Sequence, residues 1–369
     1  MSHSETPREQ EAQQWLTSER IWVAVTAAVL GSVAVVAWSV WNGASWESLT
    51  DIQVDGTWLG IALACVALRD VGYVLRLWVL SRGELSATRA TSSIVLWELA
   101  SALTPSVVGG SAVASFILHR NGLSWGRSLA TVMSTALLDE LYFLVAVPVV
   151  AVMVGWGAFL PQAAPWLEGS VAAIFGGGYA FMAVLATLLS TALFWAPQAV
   201  QGMLHAVLSW RWLQRWKTQG EQLAHDLRHA SNDLRTMSVA SWAGAVAATT
   251  VSWTARFLTL NAVLMAFVVP LHGSGLDQFG VWARQLSMWT VMMISPTPGS
   301  SGLAELALPA FMEGVMPVAL PVTLWAAVVL MWRYLTYHLY VLVGGLMMPF
   351  WLTQTSAHDG PSWRNFRRP

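Results

Sequence analysis

The chain has 369 residues, 56% of them hydrophobic and 11% charged, and its nineteen Lys and Arg against twenty Asp and Glu leave a formal net charge of −1. Soluble domains carry about 25% charged residues, which excludes a water-facing enzyme, a disordered chain and a nucleic-acid binder with a basic face. Apolar runs of twenty or more residues, without the alternating segments of about ten that build a membrane β-barrel, define an all-α polytopic membrane protein.

Residues 1–20 are polar, carry no signal-peptide pattern, and form a cytoplasmic N-terminal segment. Six segments are long enough to cross a hydrocarbon core: 21–41, 57–80, 128–155, 171–195, 239–269 and 318–349. Two further apolar stretches, 90–118 and 281–313, are broken by turn-forming clusters at Thr104–Ser111 and Ser295–Gly302. Their halves are too short to span, so each predicts a re-entrant hairpin of half-helices. The polar stretch 196–238 is a cytoplasmic linker, and its Trp210, Trp212, Leu213 and Trp216 among basic residues predict an amphipathic helix on the inner leaflet. Residues 350–369 form a cytoplasmic tail.

If both hairpins return to the side they enter from, all fourteen Lys and Arg outside the membrane segments fall on one side. That side is the cytoplasm, with both termini in it. The order span, span, hairpin, span then occurs twice with opposite orientation, as a first repeat over 21–155 and a second over 171–349. Inverted-topology repeats of this kind place a binding site near the midplane between interrupted helices.

Charged residues stand near the middle of several spans: Arg69 and Asp70, Asp139 and Glu140, Arg256, and Arg333. Facing lipid, these six would cost about 15–20 kcal/mol on insertion scales, so they face one another or a watered cavity. The plain reading is interhelical ion pairing, with Asp70 held by a nearby Arg and Arg76 snorkelling to the inner end. The functional reading is a polar translocation site, in which Arg69 and Arg76, seven apart, form one basic wall.

The breaks supply backbone N–H groups. Gly109, Gly110 and Ser111 are predicted to precede one half-helix, and Ser300, Ser301 and Gly302 the other, leaving unpaired donors at a positive helix start that binds anions. Glu98 and Glu305 sit beside the breaks, and Glu305 either stabilises the first helical turn or serves a substrate or proton. With the arginines, these starts suit a phosphate, for which Arg is the better bidentate partner. The 23 Trp are interfacial anchors or packing and receive no chemistry. The single Cys65 permits no intrachain disulfide, and His225 with His229 is a solvated helix face before it is a metal site. No metal, cofactor, catalytic residue or ATPase motif is expected, and HExxH, GxxxxGK[ST] and GxSxG are missing.

The stretches Leu103–Ser111, Ile294–Glu305 and Trp332–Tyr337 resemble the flippase-like membrane domain of lysylphosphatidylglycerol synthases, over roughly residues 15–350. The Pro-Thr-Pro-Gly…Gly…Glu run is the most specific part. The resemblance implies a lipid flippase or transporter acting on an anionic, phosphate-containing and in some relatives aminoacylated lipid. It marks Pro296, Pro298, Gly299, Gly302, Glu305 and Arg333 as motif positions. Two departures stand out. The chain stops about twenty residues after its last span, so no aminoacyl transfer is expected, and Ser300-Ser301 stands where the family pattern suggests another glycine. The expected partners are membrane lipids and a lipid-modifying enzyme, in a bacterial inner membrane. The rival readings are an accessory subunit presenting lipid to a glycosyltransferase or synthase, and an intramembrane enzyme acting on a lipid phosphate.

Overall fold

In the computed structural model the described residues are 52–104, 106–161, 171–195, 228, 229, 231–268, 276–293, 297–317 and 319–358. The expected span 21–41, most of the linker 196–238 with its tryptophans, His225, Ser295, Pro296 and the tail from 359 lie outside them.

Among the described residues every regular element is helical. Helix α1 covers Gly56–Leu80, α2 Ala87–Leu103, α3 Ser106–Arg120 and α4 Trp125–Val154. Helix α5, Val171–Ser190, runs on into a π-helical turn at Thr191–Trp195. Then come α6 (Val239–Phe267), α7 (Gln278–Met292), α8 (Leu303–Met312), α9 (Val322–Arg333), a π-helical turn at Tyr334–His338, and α10 (Leu339–His358). Among the described residues four helical segments are long and apolar enough to cross a membrane: Gly56–Leu80, Trp125–Val154, Val171–Trp195 and Val322–Leu352. Helix α6 has 29 residues, but Arg256, Asn261 and its hydroxyl residues lower its hydropathy, and it is largely enclosed by other helices. Val145, Val149, Val152 and Met153 stand out from α4 with half or more of their surface exposed, which suits lipid and not water.

Short polar residues start the helices. Asp55 accepts from the Thr57 amide at 2.8 Å, Ser124 from Arg127 at 3.2 Å, Ser238 from Ser241 at 3.1 Å and Asp277 from Gly280 at 2.8 Å. Each satisfies a donor that the first turn leaves unpaired.

Helices α1 and α6 form an antiparallel pair. The Asp55 amide donates to the Ala266 carbonyl at 2.8 Å at one end, and Ser252 Oγ donates to the Arg69 carbonyl at 3.1 Å near the middle. Gly72 makes the close approach possible, because a Cβ there would collide with Ser252 Oγ and lie 2.9 Å from the Ala248 carbonyl oxygen. Gly72→Leu should therefore destabilise the fold by about 1–3 kcal/mol, read as a lower thermal unfolding midpoint in detergent. Gly60→Leu, on the same helix with nothing within 4 Å of its Cβ position, should leave the midpoint unchanged.

Helices α2 and α3 fold back on each other. At the open end, Asn121 Nδ2 donates to Ser93 Oγ at 2.7 Å and Arg89 Nη1 to the Asn121 carbonyl at 3.2 Å. At the tip, Gly110 packs on Ser101, where a Cβ would stand 2.8 Å from Oγ. Here the sequence expectation needs correction: Gly109, Gly110 and Ser111 do not precede the second arm but lie inside it, since α3 starts at Ser106. Past Leu103, Thr104 is extended (φ −103°, ψ 135°), as a residue before proline prefers. Gly110 serves contact between the arms, and the turn does not need its freedom.

Helices α7 and α8 are joined through the Pro298–Ser300 turn, and Gly314, just past α8, lies beside Arg284 of α7. The last expected span also needs correction: it runs on through the π-helical turn to His358, so the first residues assigned to the tail are helical. Trp351 Nε1 donates to Asn121 Oδ1 at 2.8 Å, which ties that extension to the open end of the first hairpin.

Candidate functional site

The two hairpin tips meet α1, α4, α6 and the α9–α10 segment around a cavity of about 300 Å³. Six of its lining residues are charged: Arg76, Glu98, Asp139, Glu140, Arg256 and Arg333. The walls also include Ser111 of the first hairpin and Gly299 and Ser300 of the second.

Arg76 is 4% exposed and does not snorkel, as the plain reading of the sequence had it. It is ion-paired with Asp139 and donates to Thr249 Oγ1 at 3.3 Å. Asp139 also accepts from Trp253 Nε1 at 2.7 Å. Arg69 is 1% exposed and stands behind the cavity wall, so the two arginines do not form one basic surface. They flank the Tyr73 ring from 5.5 and 5.0 Å. Arg69 Nε donates to Asp70 at 3.1 Å, Tyr340 donates its hydroxyl to Asp70 at 2.7 Å, and the Tyr340 ring lies 4.4 Å from the Arg69 guanidinium. For Asp70 the structural reading therefore holds.

Glu98 of α2 lies between two guanidinium groups, 3.6 Å from Arg69 Nη2 and 3.6 Å from Arg256 Nη2. Those separations give Coulombic attraction but exceed good hydrogen-bond length. Arg256 is held in place by rings, with the Trp253 and Trp289 centroids 5.3 and 5.0 Å from its guanidinium carbon. Its Nε is buried and has no hydrogen-bond partner among the described residues. Arg256 is thus an oriented cation with a donor left over among the described residues, facing a cavity that five other charged residues line.

Arg333 closes the second tip. Its Nε pairs with Glu305 Oε1 at 2.8 Å, and its Nη2 donates to Ser301 Oγ at 3.0 Å and to the Gly299 carbonyl at 3.3 Å. Glu305 Oε2 accepts the Gly302 amide at 2.7 Å. This carboxylate therefore occupies the start of α8, the position at which the sequence pattern suggested an incoming anion, and it caps the helix and neutralises Arg333 at once. Gly299 (φ 55°), Ser300 (φ 52°) and Gly302 (φ 84°) take left-handed conformations. Ser300 thus adopts a backbone that glycine would adopt without strain, at a cost of about 1–2 kcal/mol. Tyr337, in the π-helical turn, packs on Gly299 so closely that a Cβ there would meet its ring. Its hydroxyl donates to the Ala102 carbonyl of the first hairpin at 3.2 Å, so one side chain touches both tips. No side-chain placement is described for Gly109, Pro296 or Pro298.

Sequence reasoning gave Trp253, Trp289 and Tyr340 no part, and Tyr337 entered only as the end of a family-like stretch, although all four position the charges. Their spacing from Arg256 and Arg333 (three residues for Trp253, four for Tyr337) places each on its arginine's helix face and was a usable signal. Arg284 of α7 also received no role from the sequence. It is 5% exposed, and its Nε and Nη1 have no partner among the described residues.

These features define a multi-pass helical membrane protein with a charged internal cavity between two helical hairpins. Residues 21–344 match the family described as the lysylphosphatidylglycerol synthase TM region, and the chain belongs to that family. A similar curated protein is the "UPF0104 membrane protein" of Archaeoglobus fulgidus, 23% identical over 352 residues, covering 90% of this chain and 95% of that relative. No solved structure matches.

Proposed function

We propose that the chain moves a lipid with a phosphate-bearing head group between the two leaflets, with the head group passing through the cavity while the acyl tails stay in the bilayer. The observation that carries this reading is Arg256, a guanidinium clamped by two indole rings, whose buried Nε has no partner among the described residues and whose ion pair to Glu98 is long. A phosphate oxygen offers that donor a charge-assisted partner, and Glu98 retains Arg69 when Arg256 turns to the ligand.

The same reading takes the α2–α3 and α7–α8 hairpins as re-entrant from opposite faces, within six spans and two inverted repeats over 21–155 and 171–349. The antiparallel pairing of α1 with α6, the second spans of the two repeats, supports it. The basic-residue asymmetry supports cytoplasmic termini in a bacterial inner membrane. Arg76, Asp139, Ser111, Gly299, Ser300 and Arg333 then shape the passage, Arg69 and Asp70 support its wall, and Ser301, Gly302 and Glu305 hold the second tip. The chain itself carries out no covalent step, and a lipid-modifying enzyme supplies or consumes its cargo.

The test is leaflet exchange in vesicles of phosphatidylglycerol and phosphatidylethanolamine containing a fluorescent phosphatidylglycerol. Purified protein should make the inner-leaflet probe accessible to an outside quencher faster than in protein-free vesicles. Equal rates, or conversion of the lipid into a new chemical species, would overturn the reading.

A further inference from the structure

Helix α4 carries a line of hydroxyls that head-group binding does not use. Ser128, Thr131 and Thr135 are 0%, 0% and 4% exposed, and none of their hydroxyls has a hydrogen-bond partner among the described residues. Many other helical hydroxyls are satisfied locally, although Ser231 Oγ is likewise buried without a hydrogen-bond partner among the described residues. Ser134, on the same helix, donates to the Ala130 carbonyl at 2.8 Å, and Thr249, Thr259 and Thr290 likewise donate to the carbonyl four residues back. On α4, Ser128, Thr131 and Thr135 are spaced by three and four residues, so they share one helix face, and Asp139 continues the line one turn further. Successive steps of about 5–6 Å are what one bridging water spans. From Ser128 to Asp139 the rise is about 16 Å, half of a hydrocarbon core of about 30 Å.

Both ends of the line meet titratable groups. Beside Ser128, Arg127 pairs with Asp233 at 3.1 Å and with Glu84 at 3.5 Å, and those carboxylates are 58% and 53% exposed. At the other end Thr135 lines the cavity together with Asp139 and Glu140. Asp139 is committed to Arg76 and Trp253. Glu140 is 4% exposed, has no ion pair among the described residues, and its Oε2 has no hydrogen-bond partner there.

We propose that this line is a proton path from the cytoplasmic surface to Glu140, and that proton movement along it is coupled to head-group passage. The coupling rests on the flippase reading; the path itself does not. A proton enters the water–hydroxyl file from the solvent beside Asp233 and Glu84. Each hydroxyl accepts one proton and passes one on, so the file ends as neutral as it began. The Glu140 carboxylate takes the proton, becomes the neutral acid, and returns it on the far side when the cavity opens there. With Glu140 neutral, a phosphate at Arg256 meets one negative charge fewer across the cavity. The other titratable or charged groups bordering that cavity, beside Asp139, are Tyr73 and Arg76 of α1, Glu98 of α2, Arg256 of α6, and Arg333, Tyr337 and Tyr340 of the α9–α10 segment. Of the remaining helices against α4, α5 bears Tyr179, bonded to the Leu144 carbonyl, and α7 bears Arg284; α3 bears His119 and Arg120 at its far end.

The experiment reads lipid and protons in the same vesicles. The full chain is reconstituted in phosphatidylglycerol and phosphatidylethanolamine vesicles with fluorescent phosphatidylglycerol in the membrane and a pH-sensitive dye inside, and a pH gradient is imposed. Lipid exchange should be accelerated in one direction of the gradient, with protein-dependent proton movement. Ser128→Ala with Thr131→Val, neither of which lines the cavity, should cut proton movement about tenfold and remove the gradient's effect on exchange. Thr131→Ser alone should retain both, which separates loss of the file from misfolding. Glu140→Gln should make exchange insensitive to the gradient. Lipid exchange without protein-dependent proton movement, or the wild-type response in the double variant, overturns the proton path and leaves the flippase reading standing. Proton movement without lipid exchange overturns the flippase reading and keeps the path, and neither activity overturns both.

Discussion

Arg256→Ala is expected to lower protein-dependent lipid exchange by one to two orders of magnitude while leaving the fold in place. A hydrogen bond to a charged group contributes about 1.5–3 kcal/mol, which is about 10- to 150-fold in a binding or rate constant. The fold should survive because Glu98 keeps Arg69 at 3.6 Å, so no carboxylate is stranded. Trp253 keeps its hydrogen bond to Asp139. Arg256→Lys should fall in between, since it keeps the charge and loses the planar fork that a phosphate engages through two oxygens. Exchange assays on the three proteins, with thermal unfolding as the folding control, check this. Wild-type exchange in the alanine variant would remove Arg256 from the mechanism.

Arg333→Ala is expected to have the larger effect on stability. The side chains of Arg333 and Glu305 are 8% and 12% exposed, and removing one partner of such a pair leaves a buried charge uncompensated, at a cost of about 3–5 kcal/mol. Glu305 would keep the Gly302 amide, but Ser301 and the Gly299 carbonyl would lose their donor. The second tip should then detach from α9. The double variant Arg333→Met with Glu305→Leu separates charge balance from function. Replacing both partners by apolar side chains should recover most of the unfolding midpoint, whereas exchange should stay low because the tip is no longer held. A double variant as unstable as Arg333→Ala would show that the pair supports the fold through packing alone.

The long apolar runs were legible in the sequence because burial in lipid demands continuous hydrophobicity, which needs no tertiary information. α1, α4, α6, and α5 taken with its π-helical turn begin and end within three residues of their expected limits. The second break was legible too, since Pro298, Gly299 and Gly302 encode left-handed or restricted backbone directly. The first break misled: Gly109 and Gly110 look like a turn, yet lie in a helix, where Gly110 admits Ser101 of the opposite arm. Turn glycine and contact glycine have the same letter, and only the neighbour across the hairpin distinguishes them. The charges lie along their helices where the sequence puts them, but apart from the arginine beside Asp70 their individual partners were not legible. Arg69 and Arg76 share a face at seven-residue spacing, yet the neighbours facing each differ, so one stands behind the wall and the other lines the cavity. Glu305 was placed between two roles, helix capping and ligand service, and one oxygen on Gly302 with the other on Arg333 meets the first.

The most direct measurement is an electron-density map of the full chain in nanodiscs of phosphatidylglycerol. The account predicts a head-group phosphate about 3 Å from the Arg256 guanidinium nitrogens, with Glu98 turned toward Arg69 and the acyl tails leaving the cavity toward lipid. A cavity without head-group density, with Glu98 still shared between Arg69 and Arg256 and phospholipid confined to the outer belt, would contradict it.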